Sequence, residues 1–214
     1  MAEHPSPAVR HLLAGDPVDV APRLLGAIVR SRGVAVRLTE VEAYRGVGED
    51  PGSHAHRGLT PRTTPMFGPP GTVYVYLSYG MHRCLNVVCG PEGSAGAVLL
   101  RAGEVLEGVD IARQRRAAAA PRRTGVCATG IIIERDLARG PARLATCLGI
   151  ELTDTGGMLS AGPITLELPD LAPTVPIEQG PRVGVSGPGG SVEHPWRNWF
   201  AGDPTVSVYR PSPR

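Results

Sequence analysis

The 214-residue chain contains no lysine, and all 22 of its basic side chains are arginine. A Walker A phosphate loop needs that lysine and is excluded. A lysine Schiff base is excluded with it. Long apolar runs are missing too: nothing approaches the ~18 residues that span a bilayer. The opening stretch MAEHPSPAVRHLLAG lacks the charged-then-apolar layout of a secretion signal. The expectation is a cytoplasmic protein with no membrane partner. The four cysteines, Cys84, Cys89, Cys127 and Cys147, form no C-x-x-C pair, which predicts reduced thiols rather than a zinc site. His54-x-His56 supplies two metal ligands without a third, so no metal is expected, and no cofactor is expected either.

What is present describes an ordinary globular chain. Apolar residues make up 42%, charged residues 20%, and mean hydropathy is −0.04. That length and balance suit one domain over residues 1–214 with a single core, its first 15 residues flexible. Charge is uneven behind a formal net of +2. Residues 111–145 carry eight arginines against Glu134 and Asp136, whereas residues 149–214 carry four against seven acids. The basic stretch suits a polyanion. It equally suits a solvated helix face bearing Arg113, Arg115 and Arg116.

The pattern of elements is mixed α/β. Residues 22–26 close a short opening helix. AIVRS and VAVRLTEVEAY then form a hairpin about Arg32-Gly33. Residues 45–72 are rich in Gly, Pro, His and Thr and lack periodicity, and a connection this long is either functional or disordered. Three β runs follow, TVYVYLSYGM, CLNVVCG and AVLLRAG. Helices are predicted over 107–120 and 141–150, the second opening on Pro141 and closing near Gly149. In the last third, ITLEL, RVGVS and TVSVY read as further strands.

Two clusters carry possible chemistry. Aromatics are only 4% of the chain, yet Tyr74, Tyr76 and Tyr79 fall within six residues. Tyr74 and Tyr76 share a strand face, while Tyr79 precedes Gly80 at a turn, where a flat ring makes a poor core residue and a good wedge. In TEVEAYRG, Glu40 and Glu42 share a parity. They are either two solvated acids on an edge strand or, beside Tyr44, a general base for water.

Taken together, TEVEAYRG, SHAHRGLTPRT, MFGPPGTVYVYLSYGMHRCLNVV and AVLLRAGEVLEG resemble, in order and spacing, the alkyladenine (3-methyladenine) DNA glycosylase family. GPARLATCLGIEL, PRVGVSG and PWRNWFAGDPTVSV extend the resemblance over most of the chain. The fold it implies is one mixed α/β domain with a curved, mostly antiparallel sheet, flanking helices and a protruding hairpin, like the C-terminal domain of formyltransferases. The implied activity is monofunctional excision of alkylated purines (3-methyladenine, 7-methylguanine, hypoxanthine) by a monomer acting on double-stranded DNA in a bacterial nucleoid. By the same resemblance Glu42 is the general base, Arg101 positions the water and the nucleotide, and the Val206 main chain closes the water site. Tyr44, Tyr76 and His54 enclose the extruded base, Asn86 lines the pocket against guanine, and Tyr79 fills the vacated gap. The apolar stretch 124–133, TGVCATGIII, departs from the family pattern as either an insertion or a locally divergent loop. Two other readings stand beside this one: a non-catalytic binding module for damaged nucleic acid, and a metal-dependent hydrolase built on His54, His56 and Glu42.

Overall fold

The stretch expected to be loose at the N-terminus instead contains a helix, α1 (Pro7–Leu13), capped by the Ser6 hydroxyl, which accepts from the Val9 amide at 3.3 Å. Val9, Leu12 and Leu13 lie at i, i+3 and i+4, so one apolar face docks and all three are buried. The computed structural model describes residues 5–119, 132–171 and 173–212. After α1 come α2 (Pro17–Val20), β1 (Ile28–Ser31), β2 (Val34–Tyr44), β3 (Val73–Ser78), β4 (His82–Val88) and β5 (Ala97–Glu107). Then follow α3 (Val109–Ala118), β6 (Ala138–Arg139), α4 (Pro141–Leu148), β7 (Ile164–Glu167), β8 (Ile177–Gly180) and β9 (Arg197–Phe200). The strands form an open sheet in the order β3-β4-β5-β2-β1-β7, with β6 on β5, β9 on β2 and β8 on β9. Every ladder among the described residues is antiparallel.

Strict alternation gives the sheet two different faces. Val73 and Val75 of β3, Leu85 and Val87 of β4, and Val98 and Leu100 of β5 join the main core. Their neighbours Tyr74, Tyr76, Cys84, Asn86, Leu99 and Arg101 turn to the other side. Helix α4 covers β4, β5 and β2 on the core face with Leu144, Ala145, Cys147 and Leu148. β2 changes parity midway. Val34, Val36 and Leu38 face the core, and then Val41 and Ala43 do, because the register to β5 shifts on both sides of Glu40. A bulge of this kind bends a strand and re-aims side chains. Here it turns Glu40, Glu42 and Tyr44 away from the core, which no count of alternating residues over the whole strand anticipates.

Two expected strands are absent. RVGVS (182–186) and TVSVY (205–209) run without ladder pairing. One central amide in each goes to a buried carboxylate instead: Val183 N–H donates to Glu42 Oε1 at 2.7 Å, and Ser207 N–H to Glu40 Oε2 at 2.8 Å. A backbone donor spent on a side chain is lost to the sheet. The supposed solvated arginine face also changes character. Arg115 donates to the Cys147 carbonyl at the end of α4 and to the Arg32 carbonyl, each at 2.7 Å, and Arg113 reaches Asp110 and Glu134. Cys84, Cys89 and Cys147 are free and buried, whereas Cys127 and most of the 124–133 stretch lie outside the described residues. No helix among the described residues is long and apolar enough to cross a membrane.

Gly103 makes the close approach of β2 and β5 possible. A Cβ there would run into the Arg37 carbonyl and the Val36 side chain, and backbone has little room to yield. Gly103→Ala is expected to lower unfolding free energy by about 1–3 kcal/mol, the usual cost of overpacking. Urea denaturation measures it. An unchanged midpoint would mean that the two strands separate freely at this point.

Candidate active site

The pocket-facing side of β2, β3, β4 and β5 floors a cavity of about 870 Å³. Its walls come from the 45–72 connection, which supplies Ser53, His54 and Arg62, and from the 182–186 segment. The long connection is thus ordered by specific contacts. Asp50, fully buried, accepts from the Arg45 and Gly52 amides at 3.1 and 2.8 Å, and from both terminal nitrogens of Arg182 at 2.6 Å each.

Glu42 and Glu40 are both fully buried, so the edge-strand alternative does not hold. Besides the Val183 amide, Glu42 accepts from the Tyr44 hydroxyl at 3.0 Å, and Arg101 Nη1 lies 3.5 Å from the same Oε2. Arg101 is held more closely by Glu40, at 2.9 Å from Nε. Glu40 also binds Arg197 Nε at 2.6 Å and the Ser207 hydroxyl at 3.0 Å. Two carboxylates and two guanidinium groups therefore balance in charge within a nearly dry wall, the condition under which buried ions are tolerated. Burial works against the Arg101 charge, but Glu42 and then Glu40 outweigh it and hold its pKa above the ordinary arginine value. Burial, and next the Glu42 charge, push the Tyr44 phenol well up, so it remains a neutral donor.

The rings assemble beside these charges. Tyr74 and Tyr76 are tilted by 32° with centroids 5.6 Å apart, and His54 meets Tyr76 edge-on at 4.6 Å. Burial and then the nearby Arg62 cation lower the His54 pKa to about 4, so the imidazole is neutral near pH 7. Its Nδ1 faces the Tyr74 hydroxyl at 3.1 Å and its Nε2 faces Arg62 at 3.3 Å. Both ring nitrogens are engaged, an arrangement unlike a waiting metal ligand. Asn86 lines the cavity, but its amide nitrogen already donates to the Tyr74 carbonyl at 3.0 Å. One face of Tyr44 carries the Arg182 guanidinium, 4.4 Å from the ring centroid. Burial also pushes the Cys84 thiol up, which keeps it protonated on the floor.

Tyr79 stands at the lip of the cavity, on the turn between β3 and β4, 83% exposed. Tyr79 and Gly80 both have positive φ, +50° and +69°, as a type I′ turn requires. Asn or Gly would serve that position with less strain. The exposed tyrosine there adds nothing to the core and leaves its ring free at the lip of the cavity.

One expected position is not brought to the site. The Val206 carbonyl accepts from Arg139 Nε at 2.8 Å, and Val206 does not line the cavity. Val183 does line it, with its amide on Glu42. A strand reading of RVGVS hides Val183 and Arg182, and Asp50 stands in the 45–72 connection with no periodicity to single it out. The signal was available in PRVGVSGPGG, whose proline and glycines suit a loop better than a ladder.

A sheltered carboxylate, an arginine beside it and a tyrosine-floored cavity are parts that would suit hydrolysis at an enclosed flat ring. Comparison with known proteins narrows the class. The family model described as methylpurine-DNA glycosylase matches residues 11–204. Proteins named "Putative 3-methyladenine DNA glycosylase" are similar along nearly the whole chain. The one from Leifsonia xyli subsp. xyli is 52% identical over 200 residues, 92% of this chain and 89% of that one. The one from Nocardia farcinica is 54% identical over 208 residues, covering 94% and 91%. The one from Streptomyces avermitilis is 50% identical over 212 residues, covering 96% and 92%. The chain belongs to the methylpurine-DNA glycosylase family. It is accordingly a DNA glycosylase, a hydrolase of N-glycosyl bonds.

Proposed function

We propose that the protein, as a monomer, releases 3-methyladenine, 7-methylguanine and hypoxanthine from double-stranded DNA, using a water activated by Glu42. The observation that carries this reading is a fully buried carboxylate on the wall of an 870 Å³ cavity beside tyrosine rings. The target bond lies within a base stack, so the nucleotide must rotate out at a cost of about a few kcal/mol. Tyr79, exposed and held on a tight turn, suits the wedge that replaces the lost base. In the cavity, Tyr76 and the free face of Tyr44 hold the purine by stacking. A cationic ring gains about 0.5–2 kcal/mol per such contact. Asn86, fixed by the Tyr74 carbonyl, presents a rigid edge that discriminates against guanine.

The chemistry then runs with few parts. The C1′–N9 bond breaks, its electron pair stays with the purine, and the sugar becomes oxocarbenium-like. The water oxygen bonds to C1′, and its proton passes to Glu42. The Val183 amide and Tyr44 hydroxyl hold the carboxylate in place, and Arg101, anchored by Glu40, keeps the wall neutral. Val183 takes the part that the resemblance assigns to Val206.

No lysine exists to form a Schiff base, so the product is an abasic site in an intact strand. Purified protein incubated with a duplex carrying 7-methylguanine should release the free base, leave both strands whole until alkali is added, and resist trapping by borohydride. Direct nicking or a trapped adduct would overturn the hydrolytic mechanism, and failure to release any modified purine would overturn the function.

A further inference from the structure

Arg62 has a position that the reaction as described does not use. It rises from the Thr60–Thr63 turn, which is locked by a reciprocal clamp: the Thr60 amide donates to Thr63 Oγ1 at 2.8 Å, the Thr63 amide to Thr60 Oγ1 at 3.2 Å, and the two hydroxyls meet at 3.0 Å. Pro61 stiffens the turn further, and Thr63 is buried. From this fixed base the side chain reaches into the cavity, its guanidinium 5.5 Å from the Tyr76 ring centroid and 3.3 Å from His54 Nε2. Arg62 makes no ion pair with a carboxylate among the described residues, unlike Arg101 and Arg182. A guanidinium only donates, so His54 Nε2 is the acceptor. The single proton of the neutral imidazole then sits on Nδ1, facing Tyr74. His54 is left with no N–H for a base, whereas the guanidinium of Arg62, which also contacts Tyr74, carries further N–H donors into this side of the cavity.

We propose that Arg62 is a specificity-determining residue that favours departure of neutral purines over cationic ones. The inference rests on the excision reaction proposed above. When the C1′–N9 bond of a neutral purine breaks, the bonding pair leaves the ring as an anion, which takes a proton from solvent afterwards. A guanidinium donating to ring acceptors is strongest as that negative charge develops. A purine already alkylated to a cation departs as a neutral ring, gains nothing from Arg62, and meets a like charge on entry. Arg62 thus narrows the advantage that cationic bases hold as leaving groups.

The test compares single-turnover release of hypoxanthine and 7-methylguanine from one duplex sequence by the wild-type protein, Arg62→Gln and Arg62→Lys. Arg62→Gln is expected to slow hypoxanthine release at least about tenfold more than 7-methylguanine release, while Arg62→Lys keeps most of the wild-type ratio. Equal slowing of both bases, with weaker duplex binding and a shallower salt dependence, would assign Arg62 to a phosphate and overturn the inference. An unchanged ratio would overturn it as well. So would a wild-type protein that releases 7-methylguanine but no hypoxanthine, leaving the broader function intact. Release of neither base would refute the proposed function instead.

Discussion

Glu42→Gln is expected to reduce the single-turnover rate of base release by about 10²- to 10⁴-fold, the range of a lost general base. Binding to a lesion-bearing duplex should survive. The substitution preserves volume, which matters because Glu42 is fully buried and touches Val183, Tyr44 and Arg101. It cannot preserve every contact. All three partners are donors, and an amide has one accepting oxygen, so its nitrogen must face a donor on one side. Some loss of stability will accompany the loss of rate, and a melting curve recorded beside the kinetics separates the two. A variant that stays folded at the assay temperature, binds the lesion and releases no base places the defect in the chemical step. A variant with wild-type release would remove Glu42 from the mechanism, and a protein that only bound damaged DNA would be indifferent to the change.

How far this site was legible in the sequence depends on which backbone rule each residue obeys. Tyr74, Tyr76 and Asn86 follow the period of two along regular strands, so their common face is predictable from spacing. The strand ITLEL is readable for the same reason, VAVRLTEVEAY from its β-branched and apolar content, and the helix from Pro141 from its proline start and glycine end. Glu42 was readable as a candidate but not as buried. Its burial depends on β9 pairing beside β2 and on the 182–186 segment closing over it, contacts some 140 or more positions away in sequence. The bulge at Glu40 is likewise invisible to pattern, since it lies in the mismatch between two strands. Val183 rather than Val206 donates to Glu42, and the two β-like runs that carry them near the C-terminus look alike in sequence. Only the distribution of carboxylate acceptors decides which one meets Glu42. The N-terminal helix escaped notice because seven residues between prolines carry too little periodicity, although three of them reach the core.

Asp50→Ala is expected to have the largest effect on stability, lowering unfolding free energy by about 3–5 kcal/mol, as when one member of a buried ion pair is removed. Arg182 would be left fully buried with its cation unmatched. Its remaining partners are the Ala43 and Gly189 carbonyls, at 2.8 and 2.7 Å, and the rings of Tyr44 and Trp196. Those contacts do not cancel a full charge. For a chain of this size the loss corresponds to a melting temperature lower by roughly 6–20 °C. Base release should fall even below the new melting point, because Arg182 adjoins Val183, whose amide holds Glu42, and stacks on Tyr44. The double variant Asp50→Ala/Arg182→Met discriminates a broken pair from a broken loop. Removing both charges should recover much of the lost stability, since apolar replacement of a buried pair is often near neutral, while release stays impaired because neither Tyr44 nor the Val183 amide regains its support. A single variant costing less than about 1 kcal/mol would mean that water reaches Arg182 in solution and that the pair is not closed.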